Sequence, residues 1–301
     1  MHKNYYNLIM IFVLTTFLST QIFALSLELL HDKKFEVNEG ELLELEISTG
    51  DIIIDSWNEN IVSVKIFGNS RAEEKMEFTF EKTGKGVFVK ADKKGSSWFN
   101  WFSSIKLRAE VKVPKSFNVE SKTSGGNVKL ANVEGRLILK TSGGDILIDN
   151  SAGELTAKTS GGNVVSKNHS GPSILKTSGG DIETFNLIGD IEANTSGGNV
   201  RLNVIKGKVD AGTSGGDVEL NYSGENMGVK LSTSGGDISV KLPKDFSANV
   251  YCKTSGGDVE IEYPAQSSSK IKSGRFEGTF NGGGNEFECK TSGGDITVKS
   301  L

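Results

Sequence analysis

Histidine, cysteine and proline are all scarce in this 301-residue chain, at 3, 2 and 4 residues. Beyond the first 24 residues only His31 and His169 remain, too few for most histidine-based catalysis or metal binding. No histidine dyad or phosphate-cradling loop occurs, so the sequence predicts no catalytic, cofactor-binding or metal-binding residue. The shortage of proline stands beside 37 glycines, well above the usual share of about 7%. Glycine without proline, spread through alternating apolar and polar residues, points to many tight turns and excludes a disordered linker. Formal net charge is only −4, which argues against nucleic acid as the main partner.

Long apolar runs are missing too, except at the start. Residues 1–24 read as a secretory signal: Lys3 gives a positive start, Leu8 to Phe23 is mostly apolar, and Ala24 offers a small residue for cleavage. Thr15, Thr16, Ser19, Thr20 and Gln21 interrupt the run, leaving it short of the roughly 20 apolar residues of a span. No cysteine follows for lipid attachment. Removal of this segment takes Lys3 with it and shifts the net charge from −4 to −5. The expected product is exported, to the periplasm or the cell surface, with no transmembrane segment in the mature chain.

What is abundant is a repeat. Thr-Ser-Gly-Gly followed by Asp or Asn starts at Thr123, Thr141, Thr159, Thr177, Thr195, Thr213, Thr233, Thr254 and Thr291. The first six copies are 18 residues apart, the next steps are 20 and 21, and the last is 37. Each unit reads as two short strands joined by turns. Around Thr141, Leu137 and Leu139 share one parity, and Ile146 and Ile148 follow the turn. The predicted turn residues are Gly125, Gly126 and Asn127, then Gly143, Gly144 and Asp145, then Gly161, Gly162 and Asn163. They continue as Gly179, Gly180 and Asp181, Gly197, Gly198 and Asn199, and Gly215, Gly216 and Asp217. A second glycine column (Gly135, Gly153, Gly171, Gly189, Gly207) marks the opposite corner, where positive φ is expected.

One such unit cannot bury its own apolar face, but a stack can. Residues 121–301 are therefore expected to form a single-stranded parallel β-helix with strands about 4.8 Å apart. A right-handed winding is favoured by the handedness of crossovers, and a left-handed triangular helix also suits an 18-residue coil. Asn and Asp alternate over the first six units, as in-register stacking favours if an amide separates carboxylates that would repel. Residues 25–120 lack the repeat but alternate in β fashion, and are read as an antiparallel cap over the first coil. No cap is evident after Val298, so that end is expected to be open.

These turns, with Thr49-Gly50-Asp51-Ile52 and the paired Val111–Lys115 and Val240–Lys244 segments, resemble the bacterial "putative adhesin" families of unknown function over residues 40–301. The resemblance implies a β-helix behind a signal peptide and an adhesive role, and carries over no catalytic residue.

Several residues invite a more specific reading. Trp98, Phe99, Trp101 and Phe102 form an aromatic loop that either meets a partner, a glycan or a membrane, or folds back as a cap. Lysine precedes Thr at Lys122, Lys140, Lys158, Lys176, Lys253 and Lys290. Stacked, these lysines form a basic stripe that keeps a sheet soluble or holds an anionic polymer. Calcium is disfavoured, because glycine-rich calcium rolls use a nine-residue rhythm. Cys252 and Cys289 both lie two residues before Thr, within disulfide reach if their coils are neighbours. The expected function is a non-catalytic scaffold or adhesin-like binding module, with a cell-surface glycan or another envelope protein as partner. A polysaccharide-cleaving β-helix enzyme is the alternative.

Overall fold

A strand with one apolar face must lay it against another apolar face, and here two long sheets do this for each other. The computed structural model describes residues 27–95, 105–263, 266–267 and 274–301. Ahead of the repeats lie β1 (Glu28–Glu36), β2 (Leu42–Ile47), β3 (Asp51–Trp57), β4 (Ile61–Gly68), helix α1 (Ser70–Lys75), β5 (Met76–Thr83), β6 (Gly86–Lys93) and β7 (Leu107–Pro114). Each repeat then gives one strand to each sheet. These are β8 (Asn118–Thr123) and β9 (Val128–Ala131), β10 (Leu137–Lys140) and β11 (Ile146–Ala152), and β12 (Leu155–Lys158) and β13 (Val164–Ser170). Next come β14 (Ser173–Lys176) and β15 (Ile182–Ile188), β16 (Ile191–Asn194) and β17 (Val200–Lys206), and β18 (Val209–Gly212) and β19 (Val218–Tyr222). Two further pairs are β20 (Val229–Ser232) with β21 (Ile238–Leu242), and β22 (Ala248–Lys253) with β23 (Val259–Glu262). The chain closes with β24 (Gln266–Ser267), β25 (Arg275–Phe280), β26 (Glu286–Lys290) and β27 (Ile296–Ser300).

The result is a β-solenoid of two facing sheets, with 13 and 14 strands. Register between repeats is one coil: Leu137 lies beside Val119 and Leu155, and Ile146 beside Val128 and Val164. Leu137, Leu139, Ile146 and Ile148 are fully buried. Burial of each such side chain contributes about 1.5–3 kcal/mol, and only stacking makes it available. Eleven coil levels of about 4.8 Å make a rod roughly 50 Å long.

Two expectations need correction. The solenoid does not begin near residue 121, because β2/β3 and β6/β7 are coils of the same parallel stack. Their faces alternate as the later coils do, and the β2/β3 corner is a single-glycine turn, Thr49-Gly50-Asp51, in place of Thr-Ser-Gly-Gly. Only β1, β4 and β5 are antiparallel there, with α1 crossing between the sheets. Asn69 caps α1 by accepting the Ala72 N–H at 3.0 Å.

The far end is covered, not open. β25 runs antiparallel to β22, and Tyr263 stacks on Phe280 at 4.3 Å. Phe280, Phe287, Phe246 and Tyr222 continue as an aromatic plug.

Stacking order departs from chain order at both ends. The β2/β3 coil sits between β6/β7 and β8/β9, and the β26/β27 coil sits between β20/β21 and β22/β23. Each end therefore tucks one coil inward and leaves a neighbour in sequence outside it.

Candidate binding surfaces

The repeated turn is a self-contained hydrogen-bonding device. The Thr141 hydroxyl donates to the Gly126 carbonyl one coil back at 2.8 Å, and the same bond recurs at Thr159, Thr177, Thr195, Thr213, Thr233, Thr254 and Thr291. These threonines are buried, so they face inward at the corner as their parity predicts. The Asp/Asn column is a second ladder. Asn127 Oδ1 accepts the Asp145 N–H at 2.9 Å, and Asp145 Oδ1 accepts the Asn163 N–H at 2.7 Å. Asp and Asn interchange because both carry Oδ1.

That ladder revises the charge argument for alternation. In stacking order Asp217, Asp237, Asp295 and Asp258 are consecutive, each N–H bonded to the Oδ1 before it at 2.8–2.9 Å. Four exposed carboxylates tolerate one another here, so an intervening amide is not required. Among the described residues no group of three His, Cys, Asp or Glu is arranged to hold a metal.

At the opposite corner Gly153 adopts φ 103°, as expected, and a Cβ there would also lie 2.2 Å from the Gly135 oxygen. Beside it runs an asparagine ladder that the sequence reading missed. Asn132, Asn150, Asn168 and Asn186 all take positive φ, and Asn150 donates to Asn132 at 2.6 Å. Their 18-residue spacing was the available signal. One turn, Gly212–Gly216, also spells the Gly-x-Ser-x-Gly spacing of a hydrolase elbow. A strand follows it where that elbow needs a helix.

The core is not wholly apolar. Ser151 Oγ and His169 Nδ1 lie 2.8 Å apart on neighbouring coils, in the column that holds Val133 and Leu187 elsewhere. His169 is 1% exposed and its Nε2 has no partner among the described residues. Burial holds its pKa below the usual histidine value. Sealed from solvent, this pair has no route to a substrate.

The outer face of the 14-stranded sheet carries the lysine ladder. Lys122, Lys140, Lys158 and Lys176 stand in register on four successive coils, with Ile138, Thr156 and Ile174 in the adjoining column. Lys140 pairs with Glu120 at 3.3 Å and Lys176 with Glu192 at 2.6 Å. Asn194, Gly212 and Ser232 then interrupt the stripe before Lys290 and Lys253 resume it, so it is two patches. At the second patch a groove of about 650 Å³ is lined by Asn249, Tyr251, Glu286, Glu288 and Lys290. Arg275 and Lys290 both lie over the Tyr251 ring, at 5.1 and 5.3 Å. On the 13-stranded side Phe185, Ile188 and Ile205 are exposed.

Cys252 and Cys289 are fully buried free thiols that face each other in register on β22 and β26. Burial pushes the Cys289 thiol well above its ordinary pKa. The aromatic loop with Trp98, Phe99, Trp101 and Phe102 lies outside the described residues. No helix of the described residues is long and apolar enough to cross a membrane.

Comparison with known proteins gives a family and no activity. No curated protein matches the chain. A structure described as a putative adhesin from Parabacteroides merdae is 12% identical, covers 91% of this chain and 96% of its own, and has a TM-score of 0.49. One from Bacteroides fragilis, also described as a putative adhesin, is 13% identical over 90% of this chain and 96% of its own, at 0.41. A Clostridium sporogenes structure described as a putative cell adhesion protein is 15% identical over 90% and 98%, at 0.23. These likenesses are too distant to bear on function. The family model called Toastrack DUF4097 matches residues 41–299, nearly the whole stack, and the chain belongs to that family.

Proposed function

We propose that this protein is an exported, non-catalytic scaffold and adhesin-like binding module whose 14-stranded sheet takes an anionic cell-surface glycan. The observation that carries the reading is the run of four in-register lysines on successive coils. Their backbone pitch is about 4.8 Å, near the length of one sugar unit in an extended polysaccharide. An extended acidic peptide shows same-face carboxylates only every ~6.6 Å, and the mismatch accumulates along the ladder. Phosphates of a DNA strand wind away around the helix axis, whereas this ladder is straight. The two ion pairs are half-exposed and worth about 1 kcal/mol each, so an incoming acid can displace the glutamates.

The test is retention of the full chain on uronate-rich, sulfated and neutral glycans. Acidic glycans should retain it, less so as salt rises. The double variant Lys122→Glu/Lys158→Glu reverses the two ladder lysines without ion pairs among the described residues, and it should lose retention. Equal retention on neutral glycans, or an unaffected double variant, defeats the proposal. Release of shortened sugars would establish the enzyme instead.

A further inference from the structure

The chain has only two cysteines, and they meet. Thirty-seven positions apart in sequence, Cys252 and Cys289 occupy the same rung of the inner column that holds Leu139, Ala157 and Leu175 in earlier coils. Parallel neighbours in register have Cα atoms about 4.8 Å apart, inside the range a disulfide spans. The position also lies in a terminal coil that has a parallel neighbour on one side only. The β22/β23 coil makes no ladder with β20/β21, its predecessors in sequence. Among the described residues its parallel ladders run only to β26 and β27, the last strands of the chain. If those strands leave, the terminal coil loses both parallel ladders that join it to the body of the solenoid.

We propose that Cys252 and Cys289 form an intramolecular disulfide that bolts the terminal β22/β23 coil to the inserted C-terminal strands. Both sulfurs are sealed in the core, so bonding occurs while the terminal coil is undocked or transiently open. A disulfide oxidant, such as oxidised glutathione or a thiol–disulfide oxidoreductase, supplies the reaction. One cysteine thiolate attacks the oxidant's sulfur and releases the first thiol. The other thiolate attacks the resulting mixed disulfide and releases the second. Two protein thiols are oxidised, the oxidant's disulfide is reduced to two thiols, and the two protons pass to those leaving groups. Docking of the coil then shields the bond from reductant. Export, expected from residues 1–24, would carry the chain to a compartment where such a bond persists.

The test refolds the full chain with oxidised and reduced glutathione, then denatures it and blocks remaining thiols with iodoacetamide. The expected product is a monomer lighter by two hydrogens that takes up no alkyl group. Its melting midpoint should lie several degrees above that of the same sample after reduction. The double variant Cys252→Ala/Cys289→Ala should fold, since Ala157, Ala193 and Ala211 occupy the same column, and should melt like the reduced protein with no response to oxidant. Two alkylated thiols after oxidation, a bond formed only between chains, or equal midpoints in both redox states would each overturn the proposal.

Discussion

Two adjacent glycines in one turn should answer opposite ways to the same substitution. A Cβ on Gly162 would sit 2.1 Å from the Gly144 oxygen and 2.4 Å from its carbon. Both atoms are backbone, so relief requires the coil to lift by about 1 Å. Lifting stretches three bonds to the coil below: Thr159 Oγ1 to the Gly144 carbonyl (2.8 Å), Asn163 N–H to Asp145 Oδ1 (2.7 Å) and Gly161 N–H to the Ser142 carbonyl (3.0 Å). At about 0.5–1.5 kcal/mol each, Gly162→Ala should cost about 3 kcal/mol. That corresponds to roughly 5 °C in melting midpoint for a chain of this size. Gly161→Ala places its Cβ 3.5 Å from the Gly143 oxygen, an ordinary contact, and Gly161 is not among the positive-φ residues. Its lower unfolded-state entropy should leave stability unchanged or raise it by about 0.5 kcal/mol. Circular dichroism melts, with hydrogen exchange at Asn163 and Val164 to localise the loss, provide the comparison. If Gly162→Ala melts with the wild type, or both variants fall together, close coil approach is not what requires the second glycine.

Two further outcomes test the ladders and the core. The unfolded chain binds a proton at His169 near the ordinary pKa of about 6.5, whereas burial depresses the folded value. Stability is therefore fully present above about pH 6.5 and falls as pH drops toward the folded pKa. His169→Leu, matching Leu187 one coil on, should flatten that slope in melts between about pH 7 and pH 5, and parallel profiles would contradict the assignment. Asp237→Asn keeps the acceptor for the Asp295 N–H and removes one of four stacked charges, so its urea midpoint should hold or rise. Asp237→Val deletes the acceptor and should lose about 0.5–1.5 kcal/mol, and a reversed order of the two midpoints would show that charge, not Oδ1, is the selected property.

The eighteen-residue spacing of Thr-Ser-Gly-Gly-Asp/Asn, with Leu137/Leu139 and Ile146/Ile148 on one parity, was enough to specify parallel coils with an aliphatic interior. Every coil repeats the same local rules of alternation, turn and close backbone approach, and those rules operate over a few residues. They specify how a coil is shaped, and say nothing of which coil lies beside which. The inward placement of β2/β3 and β26/β27 depends on connection lengths and on the end layers, including α1 and the Tyr263–Phe280 plug. So does the meeting of Cys252 with Cys289, which neighbour in sequence does not predict. The N-terminal coils read as a separate cap because they hold the same sheet register without the 18-residue Thr-Ser-Gly-Gly spacing, keeping only the single-glycine turn Thr49-Gly50-Asp51. The Ser151–His169 pair was invisible for a related reason: polarity in a sequence column reads as a break in the core until the neighbouring coil supplies its partner.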